Sequence, residues 1–547
     1  MFIIPAADLL GEFGPGSKFG HIDFERLGDT VYFQKNLNAF LEGGHRYTAN
    51  ALLLKAPTGK EGQRLETALA GIVGHYRGTA MGKSDFITLA DELRTKATEV
   101  GYELAIGFDA GGENLSESSS LLIHVQPLVV KTVAIENGKY FKARSIQHRL
   151  GIKTGQPLNL NQLANSIRRI EDNPDLEIKT SFEPIEFTTD VAVTLKINDQ
   201  RPYHLGMNMA NVGLNQFGDT LYGAAVVHNN ILGFGDTLSI APVSSRKGFG
   251  LYTHYEVPIN SYGTVLSFDH AYNRAEPIGD AYGGYNYKGH SNVISAGLRQ
   301  YLYGTEHVRI TGDAGLQIKN AFTKADGVFI ESEKMRNFLF GLQLEQEDDH
   351  GSTFVRSEIG WALDILGASN NNSTLLSIPN AGSQHFRTTT TVAREQNLFW
   401  DSTLVTQVMA QYTPDSLYTF DQFGAGGFFF GRGYKEQLYG ADSVIYGSTE
   451  WRVPLTFLPK SLKVLGTKEP LNENIKLVTF LDYTATHLNK QPAAAPATEQ
   501  YMGTGIGIRA KLSKYTEGRL DLGIPLLQQS PDGINPRLHF GVTSLLF

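Results

Sequence analysis

The residues of most chemical consequence lie between Phe420 and Pro454, in FDQFGAGGFFFGRGYKEQLYGADSVIYGSTEWRVP. Gly424, Gly426, Gly427, Gly431 and Gly433 crowd with phenylalanines around one cation, Arg432. Glycine-rich backbone takes positive φ and turns tightly, so the stretch reads as a folded hairpin loop. A guanidinium amid so much apolar surface costs free energy unless an anion meets it, so a carboxylate partner is expected. Two other constellations fail on spacing. The segment GTAMGKS, Gly78–Ser84, is one residue short of a phosphate loop and lies between two helical stretches instead of following a strand. Glu345, Glu347, Asp348, Asp349 and His350 lack the ligand spacing of a Ca²⁺ loop and read as a solvated turn. The 15 histidines show no pairing with carboxylates at catalytic or zinc spacing. The chain therefore reads as no enzyme, with no cofactor, no metal and no nucleotide.

What positions Arg432 has to be read from the rest of the chain. Its 547 residues exceed one ordinary soluble domain. Charged residues make up only 19%, with 58 glycines, 24 tyrosines, 31 phenylalanines and no cysteine. No run of about 18 apolar residues exists to make a membrane helix. Gly-rich and aromatic-rich without helical spans is the profile of an outer-membrane β-barrel, whose partner is lipid. A net charge of −8 argues against a nucleic-acid binder. The N-terminus, MFIIPAADLLGEF, has no basic region and meets Pro5 early, so it does not read as a signal peptide. Residues 1–44 read as a leader and linker, in which Ala6–Phe13 is the only candidate plug helix of a pore.

From residue 45 to residue 200 one order of elements recurs. Tyr47–Lys55 reads as a strand and Gly62–Tyr76 as a helix; a second helix, N-capped by Ser84, carries Phe86, Leu89, Leu93 and Ala97 on one stripe. Tyr102–Asp109 and Leu121–Val125 read as strands. The order returns as Val129–Glu136, helices Ala143–Leu150 and Asn159–Ile170, and strands Leu176–Phe182 and Val191–Ile197. Two β-α-α-β-β units, 45–127 and 128–200, make an internal repeat of architecture. From Arg201 onward helical spacing vanishes and alternating segments recur between turn residues. Sixteen can be read, beginning near Pro202, Thr220, Asp236, Gly248, Gly263, Ser291, Glu306, Met335, Ser352, Ser383, Asp401, Asp442, Asn474, Met502, Glu517 and Pro536. An even count suits a closed antiparallel barrel, 201–547, with both ends of the chain on one side.

These stretches together resemble a known family. The repeated unit, with Val100-Gly101-Tyr102 ending its second helix, resembles a tandem pair of α+β POTRA domains. The segment ANVGLNQFGDTLYGAAVVHNNILGFGDTLSI, Ala210–Ile240, is similar to the opening strands of two-partner secretion transporters of the outer membrane. The stretch around Arg432 resembles their long sixth loop, whose tip reads Val-Arg-Gly-Phe or Val-Arg-Gly-Tyr. Here the tip is Gly431-Arg432-Gly433-Tyr434, so Gly431 departs from an aliphatic residue and different packing is expected there. Phe480-Leu481-Asp482-Tyr483-Thr484 resembles the family's Phe-x-Asp-x-Gly, with Thr484 in place of glycine. The C-terminal strand, with Phe540 and terminal Phe547, partially matches the signal that barrel assembly machinery recognises.

The resemblance implies a 16-stranded membrane β-barrel behind two periplasmic POTRA domains. It implies secretion of a large β-helical exoprotein whose N-terminal secretion domain the POTRA pair captures. An insertase of the same superfamily and a porin-like channel are the rival readings. Asp482 shares a strand face with Phe480 and Val478, whereas Leu477, Leu481 and Tyr483 form the better lipid face. Asp482 is therefore expected in the lumen, where a loop 420–442 folded inward would bring Arg432 to it. Glu450 and Arg452, opposite Trp451 and Val453, are further candidate lumen charges.

Overall fold

The computed structural model describes residues 31–546 apart from 111–119, 186–187, 278–283, 371–372, 380, 382, 457, 460, 464–469, 491–495, 514 and 528–534. The candidate plug Ala6–Phe13 and the terminal Phe547 lie outside the described residues. The chain divides after Gln200 into two compact units.

The N-terminal unit holds two small mixed sheets, each with its own core. In the first, Ala51–Lys55 runs parallel to Ser120–Pro127, which pairs antiparallel with Leu104–Ala110. Helices Lys60–His75 and Lys83–Glu99 bury Leu65, Leu69, Val73, Phe86, Leu89 and Leu93. That helical spacing makes one apolar stripe on each helix. In the second sheet Val129–Glu136 runs parallel to Asp190–Asp199, which pairs antiparallel with Leu176–Pro184. The helix Leu160–Glu171 covers it with Leu163, Ile167 and Ile170, and the Asn159 side chain caps the helix by accepting the Gln162 N–H at 2.9 Å.

Two details differ from expectation. Val31–Phe33 pairs with Leu104–Ala110, and the helix Lys35–Glu42 buries Leu37 and Leu41, so the first core starts before residue 45. Elements of 3 and 8 residues are too short for their periodicity to stand out. Gly82, not Ser84, caps the second helix, because the Asp85 carboxylate reaches back to accept the Gly82 N–H at 2.8 Å.

The C-terminal unit is a closed antiparallel barrel of 16 strands. In order they are β1 Tyr203–Ala210, β2 Leu221–His228, β3 Thr237–Ser244, β4 Gly248–Pro258, β5 Thr264–Ala275, β6 Tyr287–Gly304, β7 Val308–Ala325 and β8 Val328–Asp348. They continue as β9 Gly351–Ala362, β10 His385–Asn397, β11 Thr403–Tyr412, β12 Ser443–Pro454, β13 Ile475–His487, β14 Thr498–Ser513, β15 Thr516–Pro525 and β16 Arg537–Leu545. Each strand pairs with its neighbours in sequence, and β16 returns to β1 through Gly206–Ala210 against Gly541–Leu545. All sixteen alternating segments are strands, but β6, β8 and β14 start earlier than Ser291, Met335 and Met502. The turn between β7 and β8 is Asp326-Gly327, both with positive φ (48° and 87°), the tight hairpin form whose twist matches the strands. Pairing therefore runs on past the belt where apolar residues alternate.

That belt covers the outside. Ile294, Leu298, Leu316, Phe340, Leu342, Ile359, Val408, Ile445, Leu477 and Leu481 are exposed and lie on outward positions. The alternate positions carry polar groups to the lumen, as where the His254 ring meets Asp269 at 2.8 Å and Arg299 meets Glu256 at 2.9 Å. Alternation also separates the carboxylates near residue 348: Glu345 and Glu347 share one face of β8, while Asp348 on the other pairs with Arg394 at 2.7 Å. Closure leaves no unpaired edge, the condition for β-structure in hydrocarbon. Val408→Arg, which places a charge within this belt, is expected to destabilise the barrel by about 2–4 kcal/mol in urea titrations in lipid vesicles. Val408→Ala should cost much less.

Candidate functional site

The loop between β11 and β12 begins as a short ribbon, with Phe423–Ala425 pairing antiparallel to Tyr439–Ala441. Beyond it the chain tightens: the Gly426 N–H donates to the Phe430 carbonyl and the Gly427 N–H to the Gly431 carbonyl, both at 3.1 Å. Both roots of the loop are fixed by carboxylates. Asp421 accepts from Lys319 Nζ at 2.6 Å and Arg387 Nη1 at 3.0 Å, and meets His385 Nε2 at 3.1 Å. Burial pushes the Asp421 carboxyl up, but Arg387 and Lys319 outweigh it and hold the group well below the usual carboxylate range. Asp442 accepts the N–H groups of Leu417 at 2.9 Å and Asn489 at 2.8 Å.

The tip lies against the inner wall. Gly433 has φ +97°, and a Cβ there would come within 3.2 Å of the Ile524 and Pro525 backbone, so the tip and β15 touch main chain to main chain. This carries Arg432 to full burial, at 1% exposure. Its Nε and Nη2 each donate to Asp482 at 2.7 Å, and its backbone N–H donates to the same carboxylate at 3.0 Å. Nη1 donates to Glu450 at 2.5 Å and stands 3.6 Å from Asp521. The Phe480 ring lies 3.5 Å beneath the guanidinium carbon, a cation–π contact. Two-pronged pairing to a carboxylate uses the planar fork that distinguishes arginine from lysine.

The expected site residues thus sit together: Arg432 on the loop, Glu450 on β12, and Asp482 with Phe480 on β13. Arg452 joins through Glu450, donating from Nε at 3.0 Å. Tyr434 is buried beyond the tip and donates from Oη to the Met502 carbonyl at 3.0 Å. Phe540 lies on β16, where its N–H donates to Asn211 Oδ1 at 2.7 Å, away from the clamp.

Sequence reading missed the rest of the network. Arg509 bridges Glu450 and Asp521 at 2.7 Å each, and Arg519 pairs with Asp521 at 2.7 Å. Alternation against Leu520, Leu522 and Ile524 places Arg519 and Asp521 in the lumen. It does not say which lumen charges they meet.

Gly431 and Thr484, the two departures from the family pattern, are neighbours. Gly431 has φ +139°, and a Cβ there would lie 3.4 Å from Gly426 Cα and 3.6 Å from Thr484 Oγ1. The Thr484 hydroxyl donates to the Phe430 carbonyl at 2.9 Å and fastens the hairpin itself. A Cβ at 431 would only touch it, so the positive φ strains any larger residue there and the branches beyond Cβ crowd Thr484. Gly431→Val should destabilise the barrel by about 1–3 kcal/mol in denaturant titrations. Adding Thr484→Gly should recover part of that loss, giving a coupling of about 0.5 kcal/mol or more between the two.

Glu436, also on the loop, is partly buried beside the tip and accepts the Phe428 N–H. Burial pushes its carboxyl up to about 8 from an ordinary 4.5, against the pull of that N–H and of Arg519. The docked loop therefore retains a proton that the undocked loop loses. Docking is favoured fully below pH 4.5 and weakens as pH rises towards about 8. Trypsin cleavage at Lys435 in the assembled barrel should accelerate over that window beyond the protease's own pH profile. The excess should disappear in Glu436→Gln.

Residues 188–510, more than half of the chain, match the family model described as haemolysin secretion/activation protein ShlB/FhaC/HecB. Among solved structures, CdiB from Escherichia coli aligns with a TM-score of 0.74 at 17% identity, covering 92% of this chain and 91% of that one. CdiB from Acinetobacter baumannii aligns with a TM-score of 0.68 at 14% identity, covering 97% and 94%. BamA from Haemophilus ducreyi lacking POTRA domains 1-3 aligns with 0.56 at 13%, covering 91% and 100%. At such identities the structural likeness concerns the fold. No curated protein matches the chain. The family match carries the assignment: the chain belongs to the ShlB/FhaC/HecB family of haemolysin secretion/activation proteins.

Proposed function

We propose that this outer-membrane barrel is the translocation pore for one large, mostly β-helical exoprotein, in two-partner (type V) secretion. The observation that carries the reading is the burial of Arg432 among Asp482, Glu450 and Asp521 inside the lumen of a barrel from a secretion family. A diffusion channel would also accommodate an inward loop, so the family match favours secretion over it.

In this reading the two mixed sheets upstream of Arg201 act as periplasmic POTRA domains. Among the described residues each sheet ends on an unpaired edge strand, Ala51–Lys55 in the first and Leu176–Pro184 in the second. An extended stretch of the exoprotein's N-terminal secretion domain can add to such an edge through main-chain hydrogen bonds. The barrel then conducts the client unfolded. Its lumen wall supports this with paired charges, among them Asp313 with Arg356 at 2.9 Å and Arg356 with Glu358 at 3.2 Å. Paired charges keep the wall hydrated without presenting a single-sign field that would trap a polypeptide. The Arg432–Asp482 contact anchors the loop and tunes the pore. The C-terminal strand, with Phe540 and Phe547, serves barrel assembly machinery during biogenesis.

The test is co-expression with the exoprotein encoded beside this chain's gene. Release into the medium should require this chain, and equal release without it would sink the proposal. Arg432→Ala should lower secretion severalfold while the barrel still shows the heat-modifiable migration of an assembled protein. Wild-type secretion by the assembled variant would remove the loop from the mechanism.

A further inference from the structure

The loop tip touches a second part of the wall, beside the Arg432 network. Phe428, 6% exposed, packs with Ala210 and Val212 at the end of β1. Across the closing seam it meets β16: a Cβ on Gly541 would lie 3.4 Å from Phe428 Cζ and 3.6 Å from the Ala210 methyl. Ala210 and Gly541 are register partners and the last pair of the seam ladder. Two small residues, one from each strand, thus form a slot that the Phe428 ring fills. On this ring lies the Arg519 guanidinium, its carbon 4.1 Å from the ring centre.

A second contact ties the tip to β16. The buried Gly433 N–H donates to His539 Nε2 at 3.2 Å. That bond places the imidazole proton on Nδ1, which has no hydrogen-bond partner among the described residues. Gly433 lies too close to the β15 backbone to turn its N–H elsewhere while the tip stays docked.

The seam itself is short. Its ladder pairs 5 residues, Gly206–Ala210 with Gly541–Leu545, whereas β12 and β13 pair over 12. Beyond Ala210 the Asn211 N–H donates to the Phe540 carbonyl at 3.1 Å, and from there the Asn211 side chain takes over, donating to the Leu538 carbonyl and accepting the Phe540 N–H, both at 2.7 Å. The first and last strands, joined by few main-chain bonds, are therefore bridged from the lumen at the point where their ladder ends.

We propose that the loop tip is the bolt of the barrel's closing seam. Phe428, seated in the Ala210–Gly541 slot, and His539, holding Gly433, are positioning residues that keep β1 and β16 paired. Withdrawal of the loop from the lumen therefore loosens the seam, and pore opening and seam opening are one coupled event. The inference rests on the docking of the loop and not on the identity of the client.

The chain contains no cysteine, so an engineered pair reports cleanly. Asn208→Cys with Thr543→Cys places thiols on register partners of the seam, and Ser295→Cys with Gln317→Cys does the same between β6 and β7 as a control. In full-length protein reconstituted in lipid vesicles, the seam pair should cross-link under mild oxidant at the control's rate. Adding Phe428→Ala or His539→Ala should slow seam cross-linking severalfold and raise maleimide labelling of its thiols, leaving the control pair unchanged. His539→Gln, whose amide oxygen still accepts the Gly433 N–H, should restore the wild-type rate. If Phe428→Ala fails to assemble, Phe428→Leu and the two His539 variants carry the test. Wild-type seam cross-linking in the assembled Phe428 and His539→Ala variants would overturn the proposal. Equal slowing of the control pair, or no rescue by His539→Gln, would overturn it too. No exoprotein enters the assay, so failure of the secretion reading leaves its outcome intact.

Discussion

A guanidinium at 1% exposure inside a membrane protein is tolerable only if its charge and all its donors are answered. Arg432 is answered by Asp482 through two prongs, by Glu450, and by Asp521 at longer range. Those carboxylates come from β13, β12 and β15, and Arg509 on β14 links two of them. Four consecutive strands are thus stitched by one network whose centre belongs to a loop. Removing one member strands the others as uncompensated charge, on the order of 3–5 kcal/mol. The docked loop and this quadrant of wall are consequently one cooperative piece.

Two physical requirements meet in each strand. Hydrocarbon outside demands apolar side chains and full backbone pairing; water inside tolerates charge but rewards its neutralisation. A period of two satisfies both, and lumen ion pairs such as His254–Asp269 and Arg356–Asp313 follow from it. The loop is then held at both ends, by Asp421 and Asp442 at its roots and by Arg432 at its tip. Partial displacement breaks one set while the other pulls it back, which favours two defined positions over a continuum of intermediate ones.

The differences between sequence reading and structure share one origin. Val31–Phe33 and Lys35–Glu42 were hidden because short elements gain their stability from long-range packing, which periodicity does not report. The cap at Gly82 depended on a reach-back by Asp85 that competes with Ser84 over one turn. β6 and β8 run longer than their alternating cores because the Asp326-Gly327 turn continues pairing where no lipid enforces the pattern.

Alternation and turn residues in the sequence alone determined the barrel, its sixteen strands and which side chains look inward, Asp482, Glu450 and Asp521 among them. The glycines likewise made Phe420–Asp442 a loop able to fold on itself. Apart from Arg432 and Asp482, which the family resemblance already brought together, which inward charges meet was decided only by tertiary structure. A period of two assigns a face but not a neighbour, whereas register, closure and the path of the loop bring Arg432 to Asp521 and Gly433 to His539. The same is true of Gly431 and Thr484, two independent oddities in the sequence that become one packing arrangement once the loop lies against β13.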